Sequence, residues 1–392
     1  PQFAQKFYVN WGLSPIYRRK GEEVRRRTFL SAVAALAVAA SLGACGGTPA
    51  AESGQQPDSQ QSAAEQAATR VVTDSLGREV EIPAEVERIA ASGPVAQQVL
   101  LTVAPERMVG LSGELTDEQL AYLGEDLADL PVFGQIYGGK GDFNKEAVAA
   151  ADPQLIIDVG EAKDSLAEEL NALQGQIGIP CVHIDSTDLH SYADLYDQLA
   201  DILGSEKAAE LADYCRNAVA EVEAVVAEVP EGERPRAAYL LGDTGTNAMA
   251  RGGFQSGIID LCSENVVVVD DPSSSGKGNE IGLEQIALWD PELIVFVGDS
   301  IYDTVGDEPA WAELAAITSG NYFRAPSVPY NWISMPASVN QIIGLQWYAR
   351  LCYPERFDDD LRDVVGEYYR LFYGHDLTDE EYDALMRGAV RE

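Results

Sequence analysis

The amino-acid sequence predicts an α/β protein of two Rossmann-like lobes, joined by a long rigid interdomain helix and enclosing a ligand cleft. Three observations carry this expectation. One segment type occurs twice, as EAVAAADPQLIIDVG at 146–160 and as EQIALWDPELIVFVG at 284–298. The copies start 138 residues apart, from 146 to 284, which is the size of one α/β lobe. Between them, 191–230 is a nearly unbroken helical pattern with Leu195, Leu199, Ile202 and Leu203 at helical spacing. The third is capacity: 392 residues, 46% of them hydrophobic, can fill more than one core.

The amino end reads as an address. Arg25, Arg26 and Arg27 precede an apolar run from Phe29 to Leu42. That run is shorter than the ~20 residues a bilayer span requires. A basic start, a short apolar stretch and small residues at its end describe an export signal. Leu42-Gly43-Ala44-Cys45 resembles a lipobox, in which the Cys45 thiol takes a diacylglyceryl group before cleavage. Arg26-Arg27-Thr28-Phe29-Leu30 also resembles a twin-arginine signal, so both export routes stay open. Residues 1–44 are therefore expected to be extension and signal peptide, with 1–23 taking no part in the fold. The segment 45–69 is rich in Gly, Ser, Gln and Ala, and lacks the apolar surface that would offset its ordering entropy. It reads as a disordered tether.

The body divides into an N-terminal lobe at 70–190, a linker helix at 191–230, and a C-terminal lobe with a helical tail at 231–392. Val71–Ile82 reads as a hairpin turning at Leu76-Gly77. First-lobe strands are expected at Arg88–Ala91, Met108–Leu111, Leu155–Val159 and Cys181–Ile184. Second-lobe strands are expected at Ala237–Leu241, Val266–Val269 and Leu293–Val297. In both copies of the repeat a short helix stops at Asp-Pro, because proline lacks an N–H and disfavours helix in the residue before it. A continuous apolar run follows, as a parallel strand covered on both faces requires. A single linker helix of this length would extend about 50 Å; Gly204-Ser205 is the place where it would break in two.

Charge and motif content exclude several functions. The chain carries 27 Lys+Arg against 64 Asp+Glu, a balance of −37, and such a surface repels a phosphate backbone. No nucleic-acid partner is expected. Ser275-Gly276-Lys277-Gly278 lacks the flanking residues of a phosphate-binding loop. His183, His190 and His375 are scattered, with His183 expected in a strand and His190 at the start of the linker helix. No metal site, nucleophile–base pair or cofactor is therefore expected, and the chain does not read as an enzyme. Cys181, Cys215, Cys262 and Cys352 can form two bridges in three pairings outside the cell, or remain buried thiols.

Asp74-Ser75-Leu76-Gly77-Arg78-Glu79-Val80-Glu81-Ile82-Pro83, followed by Arg88-Ile89, resembles the opening of the class III solute-binding proteins of ABC importers. Their hairpin reads D-x-x-G-R-x-V-x-I-P. Arg251–Ser256 with Ile258–Val266, and Tyr330-Asn331-Trp332 with Pro336–Asn340, are similar to second-lobe segments of the same family. The resemblance covers about 70–390 and implies two lobes on a rigid linker, with ligand held by loops at the strands' carboxyl ends. It implies an ABC permease and ATPase as partners, a monomer, and a lipid-anchored position on the extracytoplasmic face.

The ligand-binding residues expected on those loops are Tyr137, Arg251, Tyr302, Tyr330, Asn331 and Trp332. Tyrosine and tryptophan offer broad faces to a macrocycle or catecholate, and Arg251 can pair with an anion. Aromatic capacity exceeds basic capacity in this set. The favoured ligand is thus an iron complex (siderophore or haem) or a corrinoid such as cobalamin, with molybdate or tungstate as the alternative. The family presents an acid on each lobe to the permease, for which the candidates are Glu125, Asp126 and Asp129, and Asp260 and Glu264.

Overall fold

The computed structural model describes residues 68–136, 143–273, 276–298 and 300–391. An antiparallel hairpin opens it, β1 (Thr69–Thr73) against β2 (Glu79–Pro83). The D-x-x-G-R motif is its clasp. Buried Asp74 accepts from the Leu76 and Arg78 backbone N–H groups at 3.1 and 3.0 Å, and forms an ion pair with the Arg78 guanidinium at 2.5 Å. It also accepts from the His183 N–H at 3.2 Å, which fastens the hairpin to the first lobe.

The first lobe follows as β3 (Ile89–Ala91), α1 (Pro94–Val103), α2 (Asp117–Leu123), α3 (Lys145–Ala151), β4 (Leu155–Gly160), α4 (Leu166–Ile177) and β5 (Cys181–Asp185). Its sheet is parallel in the order β3-β4-β5. Met108 and Leu111 make only single bridges, where a strand was expected. Residues 191–230 form two helices instead of one, α5 (Ser191–Leu203) and α6 (Glu206–Ala227), because the chain turns at Gly204 (φ 61°). The Ser205 hydroxyl restarts the helix by accepting from the Ala208 N–H at 3.2 Å. With 22 residues, α6 is about 33 Å long.

The second lobe contains β6 (Arg236–Leu241), β7 (Asn247–Ala248), α7 (Gly257–Cys262), β8 (Glu264–Asn265), β9 (Asn279–Glu280), α8 (Leu283–Trp289), β10 (Leu293–Phe296), α9 (Ala315–Thr318) and β11 (Tyr322–Arg324). The tail is α10 (Gln341–Cys352), α11 (Leu361–Tyr368) and α12 (Asp379–Leu385). Its sheet runs β11-β10-β6-β7-β9, with β8 also on β6. The strand expected at Val266–Val269 is replaced by the two-residue β8, since Asn265 turns the chain by accepting from the Val267 N–H at 3.0 Å.

The repeat is structural. Both helices end in a left-handed aspartate, Asp152 at φ 50° and Asp290 at φ 42°, which frees the following proline to start the strand. An arginine from the neighbouring strand closes each turn. Arg88 Nε donates to the Asp152 carbonyl at 2.8 Å, and Arg236 Nη1 to the Asp290 carbonyl at 3.0 Å.

Alternation along the strands places the lobes on a shared interior. Ile89, Leu155 and Val182 face inward from the first sheet, and Ala237, Tyr239 and Leu293 from the second. With Leu195, Leu211, Val219, Trp347 and Tyr368 of the helices they form one continuous core. The outer faces form two further cores, around Ile156 in the first lobe and Phe296 in the second. Two lobes that share a close-packed core resist wide hinge opening. Among the described residues, no helix is long and apolar enough to cross a membrane.

Candidate functional site

A cleft of about 450 Å³ opens at the carboxyl ends of β10 and β11. Its second-lobe walls are Val297-Gly298 and the loop from Arg324 to Asn331; α2 supplies Glu118 and Gln119, and the tail supplies Leu385 and Arg387. Ligands of open α/β sheets sit at this end of the strands. Gly298 is needed there, because a Cβ would lie 2.9 Å from Ser327 Oγ.

One residue reaches across the cleft. Gln119 closes a capping box with Thr116, its Oε1 accepting from the Thr116 N–H at 3.0 Å. Its Nε2 then donates to the Pro329 carbonyl at 3.0 Å, so a helix cap of the first lobe grips the second-lobe loop.

The donors of the cleft are underused. Arg324 pairs through Nη2 with Asp303, and its guanidinium lies 4.6 Å from the Tyr302 ring centroid. Its buried Nε has no acceptor among the described residues, and neither do the buried Tyr330 hydroxyl and the Ser300 hydroxyl just past Gly298. Burial pushes the Tyr330 phenol up, which keeps its proton on. Exposed Arg387 has no ion-pair partner among the described residues. A buried donor without an acceptor costs about 1–3 kcal/mol.

The expected binding residues separate into three groups. Tyr330 and Asn331 line the cleft, but Asn331 is committed to shaping its loop. Its Oδ1 accepts from the Ile333 and Ser334 N–H groups at 2.9 Å each, and its Nδ2 donates to Ser327 Oγ at 3.1 Å. Tyr302 stands one layer back, between Arg324 and Tyr322, with the Tyr322 ring at 5.6 Å. Trp332 does not reach the cleft: its side chain is fully buried against Trp347 and Tyr369, as a plug of the shared core. Arg251 is also elsewhere. Its guanidinium donates to the Asn265 carbonyl and lies 3.9 Å from Glu264, in a separate groove with Arg234 and Asp260. Tyr137 and Cys45 lie outside the described residues.

The acidic candidates also differ. Glu125, Asp126 and Asp129 are exposed on one turn, and none has an ion-pair partner among the described residues. Asp260 is half-buried and holds its own loop, accepting from the Gly252 N–H, Ser256 Oγ and Asn265 Nδ2 at 2.8, 2.7 and 2.7 Å. Burial raises its pKa, against the pull of those bonds. Glu264 is exposed but lies 3.9 Å from both Arg236 and Arg251. Arg324, Arg387 and Gln119 escape sequence reasoning. Arg324 ends a strand of only three residues, too short for periodicity to show, and Arg387 comes from the distant tail.

This two-lobed fold with its loop-built cleft defines a substrate-binding protein. A family profile described as "Periplasmic binding protein" matches residues 105–329, and the chain belongs to that family. It is 25% identical over 340 residues to the molybdate-binding protein MolA of Haemophilus influenzae, across 78% of this chain and 91% of that protein. The structure is similar to an ABC transporter solute-binding protein from Sulfurospirillum deleyianum, with a TM-score of 0.74 and 27% identity over 81% of this chain and 99% of the other. A periplasmic solute-binding protein from Veillonella parvula follows at a TM-score of 0.69 and 22% identity, over 82% and 98%. The chain is thus a periplasmic binding protein of an ABC importer, of the class III fold. Its fold and its relatives are those of extracytoplasmic substrate-binding proteins rather than enzymes.

Proposed function

We propose that the cleft captures a small oxyanion of the molybdate type for delivery to the importer. The observation that carries this reading is exposed Arg387, which lines the cleft beside Arg324 with no ion-pair partner among the described residues. In a chain of net charge −37, Arg324 and Arg387 at one cleft, against Glu118 in its wall and Asp303 paired with Arg324, offset the negative field locally. The similarity to MolA points the same way. The aromatic walls that favoured a tetrapyrrole or catecholate do not gather, since Trp332 is buried in the core and Tyr302 backs Arg324. A second reading, an anionic metal chelate, is favoured by the cleft's volume of about 450 Å³, which exceeds what a tetrahedral oxyanion fills. Calorimetric titration decides between them. Molybdate should bind one to one, with Arg387→Ala and Arg324→Ala each weakening it at least ~10-fold, about 1.4 kcal/mol. Binding of a ferric chelate with no heat from molybdate would favour the second reading.

The protein works from the membrane surface, held by lipid on Cys45, with Glu125, Asp126 or Asp129 on one lobe and Glu264 on the other meeting arginines of the permease. The lipobox-like run before Cys45 and the unpaired acids on the 125–129 turn support this arrangement. Cys45→Ala should release the protein from membranes, and charge reversal on the turn should lower uptake with ligand affinity intact. Retention of the Cys45 variant, or equal loss of affinity, would contradict it.

A further inference from the structure

We propose that Cys262 and Cys352 are an oxidisable pair that closes a disulfide between α7 and α10 as the exported chain folds. The two residues end their helices, and hydrogen bonds on either side hold those ends together. Ser263, directly after Cys262, has its Oγ 2.9 Å from the hydroxyl of Tyr348, one turn before Cys352. Tyr353, directly after Cys352, donates from its hydroxyl to the Cys262 carbonyl at 2.5 Å. After burial, Cys352 is the strongest influence on the Cys262 thiol. The other two cysteines have no thiol among the groups that act on them: Arg78 and Asp158 act on Cys181, and Arg216 on Cys215, which lies near Tyr192, Tyr196 and Tyr214.

The chemistry fits a compartment outside the cytoplasm, where disulfides persist. Two Sγ–H bonds break and one Sγ–Sγ bond forms. The two electrons pass to a disulfide-bearing oxidant, which leaves as two thiols carrying the two protons; the intermediate is a mixed disulfide on one of the cysteines. Timing follows from burial. In the folded protein Cys262 is fully buried with its thiol pushed well up, and Cys352 is pushed up to about 12. Exchange requires thiolate, so closure belongs to the folding chain, before the interface seals.

The test is made on full-length protein exported by a bacterial host, unfolded in denaturant without reductant and alkylated in that denaturant, so that every free thiol is reached. Peptide mapping should find Cys181 and Cys215 labelled. Cys262 and Cys352 should label only after reduction, and before it should appear as one linked peptide lighter by two hydrogens. Labelling of all four cysteines without reduction, or a link involving Cys181 or Cys215, overturns the proposal. A melting curve needs no variant: reductant should lower the wild-type midpoint by about 5 °C or more. A Cys352→Ser variant should melt alike with and without reductant, and should label at Cys262 without reduction. A wild-type midpoint indifferent to reductant also overturns the proposal.

Discussion

The two copies of the helix–Asp-Pro–strand–Gly unit share a backbone and differ in chemistry. Equivalent positions near the strand's end are Asp158 in the first lobe and Phe296 in the second. Asp158 is buried and bonded to two partners: it accepts from the Ser92 hydroxyl and lies 2.7 Å from His183 Nδ1. Phe296 is equally buried but lies among aromatic rings, with Trp311 at 5.8 Å and Tyr302 at 6.4 Å. The closing glycines differ as well. Gly160 is at φ 153° with open space around it, whereas Gly298 has Ser327 against it at the cleft. The first copy thus uses its strand end to hold its own loops together, and the second uses it to pack the rings on which Arg324 lies. The two copies share a frame, and one outer-face position per copy, Asp158 or Phe296, sets whether that strand end is held by hydrogen bonds or by packed rings.

Exchanging those two residues should have the largest effect. Phe296→Asp places a carboxylate among rings that offer it no partner, and should cost at least about 5 kcal/mol, preventing the second lobe from folding. Asp158→Leu, which strands His183 and Ser92, should cost about 3 kcal/mol. Replacing His183 by Leu as well should recover most of that loss. Urea unfolding of the three variants measures this; equal losses for the two single exchanges would mean that the copies are not chemically distinct. The glycines should give the next effect and a separation of readouts. Gly160→Ala should cost about 1–2 kcal/mol through its positive φ, with ligand affinity unchanged. Gly298→Ala should change stability by less than about 1 kcal/mol while weakening ligand binding about 10-fold, as Ser327 is driven toward the cleft. The smallest effect should be a matched one. Arg88→Ala and Arg236→Ala each remove one cap from the same turn and should lose about 1 kcal/mol apiece, so a large inequality in thermal unfolding would break the equivalence of the two copies.

The frame was legible because its signals are local. Asp-Pro fixes where a helix must stop, the apolar run fixes a two-sided strand, and the hairpin clasped by Asp74 and Arg78 lies within the fifteen residues Thr69–Pro83. The long pattern over 191–230 hid a break, since Gly204 interrupts two helices whose apolar stripes happen to align. The site was less legible for a different reason. The cleft is assembled from α2, two strand ends and the chain's tail, and no periodicity links Gln119, Arg324 and Arg387. Loop aromatics were over-read: Trp332 looks available in sequence, but it follows a loop that folds inward to Trp347. Arg251 was misplaced by the same logic, because the Asn265 carbonyl that captures its guanidinium is set by the short β8 rather than by nearby sequence.

The claim that the second copy's strand end carries the ligand is tested most directly by a crystal structure of the protein soaked in molybdate, with anomalous data at the molybdenum edge. The account predicts one strong peak in the cleft, within hydrogen-bond distance of Arg324, Arg387 or the Tyr330 hydroxyl, and none in the groove of Arg251. A peak bound only to first-lobe groups near Ser92, or a cleft without molybdenum at saturating concentration, would contradict it.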